Sequence, residues 1–322
     1  MTPVAPIAVV IPAFNRADTL PRTLASLAGQ TVSPAQVILV DNNSTDESAA
    51  IMTRWADDYR AAHPDTEVTL LAESKPGACP ARNRGLAAVT APFVMFFDSD
   101  DEMLPAHIAD FSAAIAAKPE ADIFGRDITA RFLDGTERRL YCTISPHSVD
   151  TTLFHHIFGG SLSTQRIVVR TALVRAVGGW DETLAGWNDF ELGVRLLLSR
   201  PRLARVTGEP TVITYQQEQS ITGTLFSLHP ERWETSLAKV RTLVATDPAL
   251  GRRATRWVDA RAAVLAAQYH AETPLHPEAA RLGRSLLLRT LDLTDAPRRI
   301  RFIYRYQCLI GRFARIPARL LL

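Results

Sequence analysis

Cysteine is scarce: Cys79, Cys142 and Cys308 are odd in number, far apart and without a Cys-X-X-Cys pair. That points to a reducing compartment rather than a disulfide framework. Long apolar runs are missing too. No stretch of about 18 apolar residues occurs, and no basic leader precedes an apolar segment, so neither a membrane span nor secretion is expected and the cytoplasm is the expected place. An excess of one charge is lacking: 36 Lys and Arg against 34 Asp and Glu leave +2, too little to argue for nucleic acid. What remains is an ordinary globular composition, 47% hydrophobic and 22% charged, over 322 residues. That length allows a core domain plus an appended part.

The most informative stretch is Phe93 to Glu102, Phe-Val-Met-Phe-Phe-Asp-Ser-Asp-Asp-Glu. Five apolar residues read as a strand buried on both faces, and the run ends in acidic residues broken only by Ser99. Carboxylates at a strand's C-terminal edge in an open α/β sheet suit Mg²⁺ or Mn²⁺ bridging phosphates; the bland alternative is an acidic loop capping the next helix. Ile7 to Ile11, Val37 to Val40 and Val68 to Leu71 read as further strands. Helical patterns follow at Leu20, Leu24 and Leu27, from Thr45 towards Tyr59 behind a Ser44/Glu47 capping box, and over Cys79 to Val89. This alternation predicts a mostly parallel central sheet with right-handed crossovers. Asn15, Asp41 and Asp98 should line one edge of it. No glycine-rich phosphate loop follows the first strand, which disfavours a nucleotidyltransferase.

Val10-Ile-Pro-Ala-Phe-Asn-Arg16, Val40-Asp-Asn-Asn-Ser-Thr-Asp46, Ala81-Arg-Asn-Arg-Gly85 and Asp98-Ser-Asp-Asp101, in this order and spacing, resemble the family 2 glycosyltransferases of GT-A fold. The resemblance continues through Gly178-Gly-Trp-Asp-Glu182 and Asp189-Phe-Glu-Leu192 and ends near Thr222. It implies an inverting, metal-assisted transfer of a sugar from a nucleoside diphosphate donor, a UDP-sugar first among them, to a glycan or lipid-linked cell-envelope acceptor. The implied nucleotide contacts are Pro12, Ala13, Phe14, Asn15, Asp41, Lys75, Arg82, Asp98 and Ser99. Asp41 and Asn43 could instead only form a turn, and of Lys75, Arg82 and Arg84 at least one could be a plain surface charge. The implied metal is Mn²⁺ or Mg²⁺, with Asp100 as direct ligand and Asp98 at the ribose or the metal through water. Asp189 is the implied catalytic base. Asn188 stands where an acid commonly precedes it, and its alternative role is to cap the helix that runs on through Leu198. Gln217 replaces a histidine often found three residues before the serine at 220. The competing class is a nucleotide-sugar-binding or scaffold protein on the same fold that has lost turnover.

Between Asp122 and Cys142 two strands are expected around the Asp134-Gly135 turn, then a strand at Ile167 to Val169 and a short helix over Thr171 to Val177 closed by Gly178-Gly179. His155 and His156 are adjacent and would point about 100° apart on a helix, which favours packing over metal binding. Trp180 and Trp187 suit either a sugar face or the core. The expected division is a nucleotide half at 1–102, an acceptor half at 103–228 and a helical region at 229–322. The last stretch has seven arginines, Arg298, Arg299, Arg301, Arg305, Arg312, Arg315 and Arg319, and no acid. All but Arg299 share about a third of a helical wheel opposite Ile303, Tyr306, Ile310 and Phe313. An anionic membrane surface fits such a helix, at the inner face of the cell membrane; so would docking on its own domain or an oligomer contact.

Overall fold

The computed structural model describes residues 4–217 and 225–310. Its first half alternates as the pattern predicts: β1 (Val4–Ala13), α1 (Leu20–Ala28), β2 (Ser33–Asp41), α2 (Ser48–Ala62), β3 (Glu67–Ala72), α3 (Ala78–Ala88) and β4 (Phe93–Phe96). After β5 (Glu102–Met103) and α4 (His107–Ala117) come the short strands β6 (Ile123–Gly125), β7 (Ile128–Arg131) and β8 (Glu137–Leu140). Then follow α5 (Val149–Gly159), β9 (Ile167–Arg170), α6 (Thr171–Ala176), α7 (Asn188–Leu198), β10 (Leu203–Arg205) and β11 (Val212–Tyr215). Four helices close the described chain: α8 (Pro230–Ala245), α9 (Gly251–Ala271), α10 (Ala279–Leu293) and α11 (Pro297–Ile310).

The central sheet has the order β10-β6-β9-β4-β1-β2-β3 and is parallel except for β9, which runs against both β4 and β6. A smaller sheet, β5-β11-β7-β8, stands beside it. The uninterrupted apolar strands follow from burial on both faces. Ala8, Val10, Ile38, Val40, Val94 and Phe96 face one core, whereas Ile7, Val9, Ile11, Val37, Leu39, Phe93 and Met95 face the other. This is the two-residue alternation of a strand with no solvent side. Because β1, β2 and β4 are parallel neighbours, the residues just after them gather at one edge.

Two helix starts differ from the sequence reading. α2 begins at Ser48, not near Thr45, because Ser44 does not cap it: its Oγ accepts from Asn15 N at 3.1 Å, while Asp46 Oδ1 accepts from Ser48 N at 2.9 Å. α7 begins at Asn188 itself, behind Trp187 in the left-handed region at φ 47°, with no side-chain cap. Gly178 and Gly179 end α6 at φ 89° and 68°, as a glycine C-cap requires.

The C-terminal helices share the first of the two cores. One continuous buried cluster runs from Val10 and Val40 through α7 to Trp233, Leu237, Val258, Leu265, Ile300 and Ile303. In α11 the inward face is Ile300, Ile303 and Gln307; Tyr306 is half-buried and Ile310 is exposed. The apolar face expected from the wheel is therefore split: docking on α9 takes Ile303 and leaves Ile310 outside. Arg312, Arg315 and Arg319 lie outside the described residues. No described helix is long and apolar enough to cross a membrane.

Candidate active site

The loop after β1 is laced to the loop after β2. Asn15 sits at φ 50°, and its Oδ1 accepts from Thr45 N at 2.8 Å. Arg16 N donates to Ser48 Oγ at 2.8 Å and Ala17 N to Asp46 Oδ2 at 3.0 Å. Pro12 and Ala13 are buried at the end of β1, and Phe14 beyond them is 55% exposed at the rim. Asp41, one strand over, has one oxygen facing Ser44 N at 3.4 Å and the other buried with no partner. A buried carboxylate oxygen without a donor is costly unless a ligand supplies one. Asn43 does make the turn contact, its Nδ2 donating to Ser74 O at 2.9 Å.

The acidic run after β4 divides by environment. Asp98 accepts from Arg82 at 2.6 Å on one oxygen and from Gln165 on the other. Ser99 is buried, and its carbonyl accepts from Thr19 Oγ1 at 3.2 Å. Asp100 lies 3.6 Å from Arg16, too far for a close ion pair, and its pKa is pushed up to about 6, first by burial and then by the charge of Asp98. Asp101 is buried, accepts from Tyr215 N at 3.0 Å, and is raised well above the usual range by burial and by Asp100 and Asp98. Glu102 accepts from the Tyr215 hydroxyl at 2.6 Å. Negative charge is thus concentrated and under-compensated around Asp100, which suits a hard divalent cation. Among the described residues no three His, Cys, Asp or Glu side chains converge on one point, so phosphate oxygens or water would have to complete the shell of an ion held at Asp100.

Of the cations, Arg82 is the one at the centre. It is buried, pairs with Asp98, approaches Asn188 Oδ1 at 3.4 Å and stacks 4.5 Å from the Trp180 ring. Lys75 instead reaches Glu182 at 2.6 Å, and Arg84 is exposed. Asn83 fixes the loop after α6, accepting from Trp180 N at 2.8 Å and donating to Glu182 at 2.8 Å. Trp180 is buried edge-on against Phe96; Trp187 is half-buried.

Asp189 stands in the first turn of α7, its Oδ1 accepting from Phe190 N at 2.9 Å. Burial raises its pKa, and the Arg82 charge opposes the rise. His156 secures this turn. Its Nε2 lies 2.9 Å from Phe190 O and its Nδ1 accepts from Leu162 N at 3.1 Å, which fixes a neutral imidazole with the proton on Nε2. Gly193 leaves room for that ring, since a Cβ there would come within 2.2 Å of it. Two residues were not singled out in the sequence: Gln165, in the 3₁₀ turn Thr164–Arg166, and Arg261, on α9, whose guanidinium lies 4.4 Å from the Trp187 ring. Neither belongs to a recognisable motif. Gln217 is described, with a buried Nε2 lacking a partner; the segment 218–222 that carries the rest of its motif lies outside the described residues.

Doubly covered, mostly parallel and acidic at its C-terminal edge, this is the GT-A architecture. Residues 8–164 match the family described as glycosyl transferase family 2, and that stretch of the chain belongs to the family. The match stops before Asp189. A pre-mycofactocin glycosyltransferase of Mycobacterium tuberculosis is 33% identical over 205 residues, which are 61% of this chain and 40% of that protein. A PGL/p-HBAD biosynthesis glycosyltransferase of Mycobacterium bovis is 25% identical over 67% of this chain and 79% of its own. Among solved structures, S. aureus TarS residues 1–349 in complex with UDP-GlcNAc superposes with a TM-score of 0.66 at 17% identity, covering 97% of this chain and 93% of that one. A Pyrobaculum calidifontis mannosyltransferase in complex with GDP-Man and Mn²⁺ gives a TM-score of 0.51 at 19% identity, covering 95% of this chain and 87% of that one. These structural likenesses establish the fold.

Proposed function

We propose that the protein transfers a sugar from a nucleoside diphosphate donor, a UDP-sugar first among them, to a hydroxyl of a glycan or lipid-linked acceptor, with inversion. The observation that carries this is the unpartnered buried oxygen of Asp41 at the same sheet edge as the under-compensated Asp100. One can accept from a base imide or ribose hydroxyl, and the other can hold the cation of a diphosphate. The donor would lie over Pro12 to Asn15 and Ser99, with the half after residue 102 facing the acceptor. A divalent ion at Asp100, when bound, would supply Lewis-acid neutralisation of the departing diphosphate. Asp98, held by Arg82 and Gln165, presents a fixed carboxylate edge rather than a mobile ligand.

Of the two carboxylates in the first turn of α7, Glu191 is paired with Arg195, whereas Asp189 has no ion pair among the described residues, and we assign Asp189 the role of general base. An ordinary aspartate titrates near 3.9 and is a weak base; burial moves Asp189 in the useful direction. It takes the proton from the acceptor hydroxyl as that oxygen forms its bond to the anomeric carbon, opposite the breaking bond to the diphosphate oxygen, which leaves with the bonding pair. A single displacement of this kind inverts the anomeric centre. The test is a donor screen by thermal shift with UDP, GDP, dTDP and CMP sugars plus Mn²⁺. The preferred donor at 100 times its Kd should stabilise by about 2.7 kcal/mol, and no stabilisation by any of them would overturn the reading.

We also propose that α11 rests on an anionic membrane surface. Its outward face carries Arg298, Arg301 and Arg305, all exposed, beside Phe302 at 51% and Leu309 at 85% exposure. Cations and aromatic or aliphatic groups on one solvent-facing side suit a headgroup layer.

A further inference from the structure

The C-terminal helices do more than share a core: they build the wall from which Asp189 projects. Lys239 on α8 pairs with Asp181, and Ser236 Oγ donates to Gly186 O at 2.6 Å. Trp233 packs so closely beneath Gly186 that a Cβ there would meet its ring at 2.9 Å. Trp187, two residues before Asp189, packs against Trp233 at 5.4 Å and Phe190 at 5.8 Å between ring centres. Arg261 of α9 then lies over the Trp187 ring at 4.4 Å.

Arg261 is the odd member of this wall. It is half-buried and has no hydrogen-bond or ion-pair partner among the described residues. Elsewhere in the chain Arg82 pairs with Asp98, Arg126 with Asp110 and half-buried Arg195 with Glu191 at 2.6 Å, while buried Arg166 donates to the Tyr141 and Gly160 carbonyls at 3.2 Å. Burial pushes the pKa of Arg261 down to about 10, and no carboxylate among the described residues opposes this. A half-buried guanidinium held against an aromatic face, without a counter-ion among the described residues, is a site prepared for an anion. Its planar fork matches phosphate or carboxylate oxygens.

We propose that Arg261 recognises an anionic group, a phosphate or phosphodiester, on the acceptor, and that Trp187 and Arg261 together make this chain selective for acceptors carrying negative charge. This rests on the assignment of Asp189 to the acceptor side. The same chemistry could be offered by the donor diphosphate, so the experiment separates the two sources.

The full chain is saturated with UDP and Mn²⁺ and titrated calorimetrically with glycerol 3-phosphate, with glycerol as the neutral control. The wild type should bind the phosphate and not glycerol. Arg261→Gln should lose that affinity by at least about tenfold, with the UDP Kd unchanged within about twofold, and Arg261→Lys should fall between. Without ligands, Arg261→Gln should melt at or above the wild-type temperature, because it removes a half-buried charge that has no counter-ion among the described residues. A wild type that ignores glycerol 3-phosphate, or a Gln variant that binds it equally, overturns the proposal. Parallel loss of UDP affinity reassigns Arg261 to the donor, and a markedly lower melting temperature means that the chain itself supplies its counter-ion. UDP binding in the wild type reports separately on the donor site.

Discussion

Arg82 donates to the Asp98 carboxylate at 2.6 Å while its guanidinium stacks 4.5 Å from the Trp180 ring. One side chain thus joins α3, the acidic run after β4 and the loop that leads towards α7. The Arg82 charge is also felt at Asp189, where it opposes the effect of burial. Arg82 therefore couples Asp98 electrostatically to Asp189.

Asp189→Asn is isosteric and keeps the oxygen that accepts from Phe190 N. It should retain donor affinity and lose transfer by at least about a hundredfold, the low end for removal of a general base. Single-turnover assays beside nucleotide titrations measure both. Near-normal transfer would move the base elsewhere.

Asp100→Ala should weaken nucleoside diphosphate binding only when Mn²⁺ or Mg²⁺ is present, because the ion couples the carboxylate to the phosphates. Titrations with the metal and with a chelator decide it. Equal weakening in both would show that Asp100 holds no metal.

Two buried histidines set an acid limit on stability. His107 is pushed down to about 3 by burial and then by Arg126, and His156 to about 4 by burial. Both are depressed below the unfolded value near 6.5, so the unfolded chain binds more protons below that pH. Their contribution is complete above about pH 6.5 and is lost as pH falls towards 4 and 3. From pH 6.5 to 5 each should cost about 2 kcal/mol. Urea unfolding at both values measures it. His156→Gln, which can still donate to Phe190 O, should remove about half the slope; an unchanged slope would place the titration elsewhere.

What the sequence made legible was whatever a strand exit carries. Asn15, Asp41 and Asp98 lie at one edge because β1, β2 and β4 are buried on both faces, and their apolar runs announce that. The Ser44 capping box failed because a hydroxyl near a helix start had a competitor, Asn15 N, from 29 residues away. Gln165 and Arg261 were illegible for a related reason: their meaning comes from partners brought by tertiary contact, Asp98 and Trp187, and not from neighbours in the chain. In α11 the hydrophobic period was visible, but an amphipathic wheel does not say whether its apolar side meets a membrane or another helix.

The docking of α11 changes how its membrane role must be tested. Ile300 and Ile303 are fully buried, so deleting the helix would bare α9 and could unfold the region for reasons unrelated to lipid. Replacing Arg298, Arg301 and Arg305 together by Gln alters only the exposed side. Each basic residue near an anionic surface contributes about 1 kcal/mol at best, so the triple variant should bind anionic vesicles roughly a hundredfold more weakly. The wild type should sediment with vesicles containing anionic lipid and not with neutral ones, and should be released by salt, since the charges are exposed and screened. Phe302→Ser, on the same face, should weaken binding with little change in salt dependence. A triple variant that sediments like the wild type, with its melting temperature and donor affinity intact, would show that the basic face does not serve a membrane.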